Sequence, residues 1–313
     1  MRLVDFDQSK LLPQEKFFAN GLELYQMKGR GLRTAARLTE VLRNLWADES
    51  YVHRAGGGWH WEKKLPHVHH MRPSVYDYHS DFMNLLWENS IPEKLHELTG
   101  RDLRLYHIQV VKQFPGPPHQ DWHRDAYQYA DDPIVGAFPA AVKVNFYPKF
   151  DKPEPRVKYV RGSHRCMAND ARFDAMLVGK YENEILESSN EQLLIFDTSM
   201  LHAVCPDIHP EGSIRVMYSF AQEHEYKKRY ADKDHHRRLH DRYLAYRESC
   251  ALDKLAKVED HIRQELARGY DGNPYANDLE SELKYDGKVD ALEGILDHIK
   301  WTKKKEEEDE DDR

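Results

Sequence analysis

The chain has 313 residues, of which 40% are hydrophobic and 32% charged, and its formal net charge is −8. Length and composition favour one large domain with appended elements, and the acidic balance argues against a general nucleic-acid footprint. The longest apolar runs, such as Gln192–Phe196, fall far short of the roughly 18 residues that a membrane span needs. We therefore predict a small-molecule partner, with neither nucleic acid nor membrane.

The N-terminus and the cysteines indicate the compartment. Asp5 and Asp7 stand where a secretory signal would have its apolar stretch, which predicts a cytoplasmic protein. Cys166, Cys205 and Cys250 are widely spaced and form no CxxC pair, so neither a disulfide framework nor a zinc knuckle is indicated.

The first hundred residues have helical patterns. Residues 14–50 alternate apolar and polar groups at helical spacing, which predicts two amphipathic helices separated at Gly29–Gly31. Further helices are predicted over Asp77–Asn89 and from Ile91 to Gly100, where proline lies inside the start and glycine at the end. We predict that residues 1–102 form a helical region packed on a core that follows.

The centre of the chain, residues 103–222, is rich in β-type runs. They are Leu103–Phe114, Ala141–Tyr147, Val157–Val160, Glu191–Phe196 and Ser213–Phe220. Few helix-length segments separate them, which disfavours a parallel βαβ sheet and favours an antiparallel barrel or sandwich. Residues 168–180 are predicted to be an inserted helix or a lid.

The last ninety residues are strongly charged. A narrow helical stripe over Arg238–Arg268 predicts a C-terminal helical appendage, residues 223–302, whose apolar side can bury against the core or form an oligomer with another copy. Residues 303–313, three lysines followed by seven acids and an arginine, are predicted to be disordered.

Two overlapping HxD motifs lie in the centre, His119/Asp121 and His123/Asp125. Alternate residues of an extended strand share a face, so either pair can point inward. Pro117–Pro118 remove strand donors just before the first pair, which favours the second. An HxD pair can also be an ordinary hydrogen-bonded turn.

Downstream residues strengthen the interpretation of the HxD motif as a metal-binding motif. His202 follows a buried-strand pattern and a short turn, although a lone histidine there is more often part of the core. Ser213 and Arg215 share one face of a later strand and can bind one anion, or else Arg215 forms a structural ion pair. Two imidazoles and a carboxylate can occupy three adjacent positions of an octahedron, as in non-haem Fe(II) oxygenases.

Five segments in order resemble the phytanoyl-CoA dioxygenase-like branch of the Fe(II)/2-oxoglutarate oxygenases. They are Trp122–Asp125, Val142–Tyr147, Tyr159–Arg165, Phe196–His202 and Arg215, within Leu103–Phe220. The resemblance implies a mainly β core with flanking helices (α+β), folded as a double-stranded β-helix, the cupin-like jelly-roll.

The resemblance also implies roles for individual residues. The implied iron ligands are His123, Asp125 and His202. Arg215, assisted by Ser213, would clamp the distal carboxylate of 2-oxoglutarate. Gln113 stands where the family often has a lysine or asparagine that contacts this cosubstrate, and it adds no charge. Gln109 and Asn145 are further candidates, each of which can equally be an interior amide.

The segment Arg161–Arg165 resembles a Pro-Gly-Ser-His turn of the family, with Arg161 in the proline position. Together with Arg156, Lys158 and Arg165 it makes a cationic cluster. A solvated basic loop and a site for an anionic substrate are the two interpretations.

The resulting hypothesis is an Fe(II)/2-oxoglutarate-dependent dioxygenase that uses O2, hydroxylates a small molecule and releases succinate and CO2. The alternatives are a zinc hydrolase on the same barrel and a non-catalytic binding protein of this fold. Residues 47–82, 126–140 and 166–190 carry no pattern that identifies the prime substrate.

Overall fold

The structure of the protein is a computed structural model that describes residues 8–47, 59–62, 65–71, 78–113, 121–125, 141–148, 154–166, 171–205, 212–223 and 239–245. The chain divides into two compact units, Met1–Tyr243 and Leu244–Arg313, and every element named below belongs to the first. The predicted charged tail and most of the predicted helical appendage lie outside the described residues.

Two antiparallel sheets form the centre of the first unit. Within the described ranges the strands are β1 (Leu22–Gln26), β2 (Trp59–Glu62), β3 (Leu65–Met71), β4 (Arg104–Gln113), β5 (Ala141–Phe146), β6 (Glu154–Tyr159), β7 (Glu184–Ser188), β8 (Gln192–Asp197), β9 (His202–Val204) and β10 (Ser213–Ala221). The larger sheet has the order β1-β8-β5-β10-β4-β3-β2, and the smaller one has the order β7-β6-β9. The central strands of the larger sheet are therefore β5, β10 and β4.

Helices flank this sheet. They are α1 (Pro13–Asn20), α2 (Gly29–Ala47), α3 (Asp81–Glu88), α4 (Ile91–Thr99) and α5 (Ala171–Lys180), with a 3₁₀ turn at Ser163–Arg165. On β10, Tyr218 is fully buried and its hydroxyl donates to the carbonyl of Phe82 in α3 (2.8 Å), so this face of the larger sheet lies against helices. The opposite face contributes Leu194 and Phe196 to a core cluster with residues of the smaller sheet. Alternation along the strands thus gives the larger sheet a helix side and an inter-sheet side.

The N-terminal prediction is wrong in one respect. Residues 22–26, read as part of a helix, form β1 and pair with β8 along its whole length. Gly21 ends α1 with a φ of 80°, and a Cβ there would lie only 2.5 Å from Nδ1 of His164. Pairing with the edge of β8 therefore outweighs the local helical spacing, and the Gly29–Gly31 pair begins α2 rather than separating two helices.

The observed architecture confirms a mainly antiparallel β core with flanking helices. The region before residue 103 also contributes β1, β2 and β3 to the larger sheet, so it is not purely helical. The boundaries 1–102, 103–222, 223–302 and 303–313 stay predictions, as does the closure of the core into a jelly-roll. Among the described helices, none combines the length and apolarity of a membrane span.

Candidate metal centre

The segment 121–125 has two faces with different environments. Trp122 packs against an apolar cluster that includes Val160, Leu177 and Leu201, and the Arg124 side chain is fully buried. His123 and Asp125 alternate with them and point to the other side, where they meet His202. One face therefore anchors the segment and the other presents its polar groups.

His123 and His202 are joined through the backbone. The His123 N–H donates to the His202 carbonyl (2.9 Å), and the His202 N–H donates to the His123 carbonyl (3.0 Å). The two residues thus form an isolated antiparallel bridge at the β9 edge of the smaller sheet. Their ring centroids are 4.4 Å apart. This reciprocal pair, rather than side-chain packing alone, places the two imidazoles side by side.

The Nδ1 atoms of both rings face backbone carbonyls. Nδ1 of His123 lies 2.7 Å from the Asp121 carbonyl and Nδ1 of His202 lies 2.8 Å from the Met200 carbonyl. A carbonyl only accepts, so each Nδ1 carries the proton and each Nε2 presents a lone pair. Nε2 of His123 is buried and has no hydrogen-bond partner. An orphaned buried acceptor of this kind is the arrangement that a metal ion satisfies.

Asp125 completes the group. Its Oδ1 is 3.7 Å from Nε2 of His123 and its Oδ2 is 3.6 Å from Nε2 of His202. One ligand atom from each of these residues lies within 4.8 Å of the others. The predicted trio is thus brought together, and its donor set of two imidazoles and one carboxylate suits a divalent cation such as iron or zinc. From the competing motif, Asp121 is exposed and His119 lies outside the described residues.

The ionisation states also suit a metal. Burial alone would raise the pKa of Asp125, but the Lys143 ammonium and the two histidines outweigh it and hold this pKa well below its usual range. Nζ of Lys143 lies 2.8 Å from Oδ2 of Asp125. Burial lowers the pKa of His202 to about 4, so its imidazole is neutral at pH 7. Metal ligation requires an ionised carboxylate and neutral imidazoles.

The depressed pKa of His202 predicts how stability depends on pH. Between about pH 6.5 and pH 4 the unfolded chain binds a proton at this histidine that the metal-free folded protein does not, so protons favour unfolding. We expect the free energy of unfolding to fall by about 3 kcal/mol from this group as the pH drops through that window. Urea unfolding at several pH values measures the effect. In the His202→Gln protein the slope should be shallower, and an unchanged slope would contradict the assignment.

The predicted cosubstrate residues share the inter-sheet side of the larger sheet. On β10, Ser213 pairs with Gln113 and Met217 pairs with both Gln109 of β4 and Asn145 of β5. Directly paired residues point to the same face, and Arg215 lies two residues from Ser213 on that face. Gln109, Gln113, Asn145 and Arg215 are each buried. Lys143 is on this face too, since it pairs with Ser219.

A pocket opens between the two sheets beside these residues. Its lining residues are Val111, Gln113, Tyr147, Pro155, Arg156, Val204, Cys205, Ser213 and Arg215. Three of the five predicted cosubstrate residues therefore line the pocket. Gln109 and Asn145 lie on the same face of the sheet but are not among the lining residues. Val204 is two residues from His202 on β9, and Lys143, Asn145 and Tyr147 follow one face of the β5 segment. The pocket is therefore connected to the histidine–aspartate group along two strands.

Three polar residues at the site were not predicted. In the sequence, Lys143 and Tyr147 belong to the segment Val142–Tyr147, and Arg156 belongs to the basic cluster. Their one sequence signal is parity: Lys143, Asn145 and Tyr147 alternate with apolar residues, which marks a polar stripe on an otherwise buried strand. Arg156 precedes the predicted strand Val157–Val160, so the alternation of that strand does not indicate which way its side chain points.

The Gly-Ser-His turn has an architectural role. The Ser163 N–H donates to the Val160 carbonyl (3.1 Å), and Gly162 has φ 76° and ψ 2°, as expected at the third position of a type II turn. Arg161, in the position where proline is favoured, extends to Glu184 instead (2.5 and 2.7 Å). Oγ of Ser163 accepts from the Leu201 N–H (2.9 Å), immediately before His202. The turn thereby fixes the start of β9.

The structure separates the members of the basic cluster. Arg161 is paired with Glu184, the guanidinium of Arg165 lies 5.0 Å from the ring centre of Phe18, and Lys158 is exposed. Only Arg156 of the four lines the pocket between the sheets. The cluster is thus neither a single loop nor a single anion site.

Comparison with known proteins identifies the fold. No family model matches the chain, and no curated protein matches it in sequence. Solved structures do. EvdMO1 is 16% identical over 67% of this chain, with a TM-score of 0.52, and the match covers 49% of EvdMO1. The chain thus spans about half the length of that protein.

Two other matches cover more of the known protein. The non-haem α-ketoglutarate-dependent epimerase SnoN from nogalamycin biosynthesis is 13% identical, with a TM-score of 0.51, over 67% of this chain and 81% of its own. EctD from S. alaskensis with bound Fe is 13% identical, with a TM-score of 0.50, over 71% and 82%. SnoN is also known in complex with Fe³⁺ and α-ketoglutarate. At these identities the likeness shows a shared fold, and the finer phytanoyl-CoA dioxygenase-like assignment stays a prediction.

Proposed function

We propose that this protein is an Fe(II)/2-oxoglutarate-dependent dioxygenase of the double-stranded β-helix fold. The observation that carries the proposal is the group of His123, Asp125 and His202, in which one buried imidazole nitrogen has no partner and the carboxylate faces both imidazoles. The shared fold with iron- and α-ketoglutarate-binding proteins supports it. In the proposed centre these residues hold the iron, whose chemistry with 2-oxoglutarate and O2 yields succinate, CO2 and a hydroxylated substrate.

The chain's own residues have distinct parts in this proposal. The Asp121 and Met200 carbonyls keep the imidazoles in the ligating tautomer. Lys143 holds one oxygen of Asp125 and so orients the carboxylate. Arg215 and Ser213 bind the distal carboxylate of 2-oxoglutarate in the pocket between the sheets, and Gln113 lines the same pocket. Gln109 and Asn145 then border the cosubstrate on the same face.

The pocket favours an oxygenase over the zinc hydrolase. A hydrolase needs an activated water but no guanidinium in the neighbouring pocket, whereas Arg215 is 9% exposed and lines this pocket with Ser213 and Gln113. A guanidinium in this position can bind the distal carboxylate of a dicarboxylic keto acid through a bidentate contact. The prime substrate is proposed to be a small molecule, in a protein of the cytoplasm, with no nucleic-acid or membrane partner.

The proposal is tested by reconstitution. Metal-free protein loaded with Fe(II) under nitrogen and then exposed to O2 is expected to convert 2-oxoglutarate to succinate, measured by mass spectrometry, even without a prime substrate. Zn(II)-loaded protein should bind 2-oxoglutarate without turnover. Keto-acid binding that does not depend on metal would instead support a binding protein, and no binding with any metal would refute the assignment.

Arg215 gives a prediction that separates cosubstrate from metal binding. The Arg215→Met protein is expected to raise the KM for 2-oxoglutarate by roughly 100-fold, because a charge-assisted bidentate contact to a carboxylate is lost. Its Fe(II) content should stay at the wild-type level, since Arg215 is not one of the metal-facing residues. Steady-state succinate formation and metal analysis measure both quantities. Equal loss of metal and of keto-acid affinity would contradict a clamp.

A further inference from the structure

The pocket between the sheets contains a second guanidinium. Arg215 reaches it from β10 of the larger sheet and Arg156 from β6 of the smaller one. The two arginines are 9% and 8% exposed. We propose that Arg156 is a second contact for the distal carboxylate of 2-oxoglutarate, so that the keto acid is held between guanidinium groups from both sheets. This inference rests on the proposed function.

A β-bulge explains why Arg156 points inward. The pairing of β6 with β7 shifts register between Pro155 and Val157, so Arg156 is the extra residue. In a regular strand, neighbouring residues face opposite sides, yet Arg156 and Val157 are both buried. Bulges re-aim a side chain in this way and are common beside active sites. Without the shift, the guanidinium would share the outward side of Lys158.

The contacts of Arg156 hold it in place at the pocket wall. Its Nε donates to the Ser188 carbonyl (3.4 Å) and its Nη2 lies 3.4 Å from Oε2 of Glu154. The guanidinium carbon lies 5.3 Å from the ring centre of Tyr147, which also lines the pocket. Both of these polar contacts are at the long end of the hydrogen-bond range, and they orient the guanidinium at the pocket wall.

The charge of the pocket favours a dicarboxylic acid. Its described lining includes two arginines and no carboxylate side chain, while Glu154 is outside the lining and its side chain is 30% exposed. Gln113 supplies an amide but no charge to this pocket. Arg156 can supply that charge from the opposite sheet. A keto acid with a methyl group in place of its distal carboxylate would accept no hydrogen bond from either guanidinium at that end, and a site built from such donors discriminates against an analogue of this kind.

The test compares two keto acids on full-length protein loaded with Mn(II) under nitrogen. Isothermal titration calorimetry measures the Kd of 2-oxoglutarate and of 2-oxopentanoate, which has the same chain length without the second carboxylate. The Arg156→Met protein is expected to weaken 2-oxoglutarate binding by about 10- to 100-fold, the usual range for a hydrogen bond to a charged group, and to change 2-oxopentanoate binding by less than about twofold. The matched control is Lys158→Met, which removes a neighbouring exposed charge and should change neither Kd.

Other outcomes decide against the inference or against its basis. Equal weakening for both acids, or none for either, would overturn the role of Arg156 while leaving the proposed function in place. No metal-dependent binding of 2-oxoglutarate by the wild-type protein would overturn both. The Arg156→Lys protein, which keeps a charge at the bulge, provides a second measurement if the methionine variant is unstable. We expect it to weaken 2-oxoglutarate binding several-fold, because a lysine lacks the planar fork, and an unchanged Kd would again refute the contact.

Discussion

Asp125→Ala is expected to lower the rate of succinate formation by more than about 10³-fold, and Asp121→Ala to leave it close to wild type. Asp125 faces both imidazoles, whereas Asp121 contributes its backbone carbonyl to Nδ1 of His123, a contact that the side-chain change preserves. The two aspartates belong to the overlapping HxD motifs and are four residues apart. The pair is therefore a matched test of which motif binds metal.

Metal content must be measured with activity. We expect Asp125→Ala and His202→Ala to lose most of their Fe(II) in plasma mass spectrometry after dialysis, because each removes one of the three proposed ligands. Asp121→Ala should retain it. Iron retained in Asp125→Ala but lost in Asp121→Ala would place the metal on the first motif and overturn the proposed centre.

Arg124→Met is expected to lower the free energy of unfolding by about 3 to 5 kcal/mol without removing any proposed ligand. The Arg124 side chain is fully buried, and Nε and Nη2 both donate to Oδ1 of Asp174 in α5 (2.9 and 2.8 Å). The same guanidinium donates to the carbonyls of Ser163, Cys166 and Ser199. Its loss would leave the buried Asp174 carboxylate and these carbonyls without their donor.

Thermal unfolding measures this effect. For a unit of this size the loss corresponds to a fall in Tm of roughly 10 °C. Arg165→Met is the control, because its exposed guanidinium lies over the ring of Phe18 and makes only a surface contact. The Arg124→Met, Asp174→Leu double variant should recover part of the loss, since the carboxylate that loses its Arg124 contact is also removed. Equal small shifts in both arginine variants would show that Arg124 is not a structural centre.

The pairing of His123 with Asp125 could be predicted because alternate residues of an extended segment share a face. Along residues 121–125 the same parity that groups His123 with Asp125 also groups Trp122 with Arg124, and the second grouping is what attaches the segment to α5 and to the Gly-Ser-His turn. Sequence reasoning used only the first. It could not name the partner of Arg124, because Asp174 lies 50 residues away and a charged residue on a helix carries no mark of burial.

Tertiary pairing explains the errors. The residues of β1 have a helical spacing, and only the open edge of β8 makes them a strand. β7 and β9 are short, so each has little alternation to mark it as a strand. Pro155 and the bulge at Arg156 interrupt the alternation of β6, so the predicted run begins later than the strand does. Bulges depend on the partner strand, so no local pattern reveals which side of β6 Arg156 takes.

The reciprocal backbone bridge between His123 and His202 would couple metal binding at the proposed centre to folding. A one-residue slip in this pairing would turn one imidazole to the opposite face, so only the native register gathers all three donor atoms. An ion that binds only this register stabilises it by about 4 kcal/mol when its free concentration is about 1,000 times the Kd. An ion bound at the proposed centre would thus favour chains in which the His123–His202 bridge has formed in its native register.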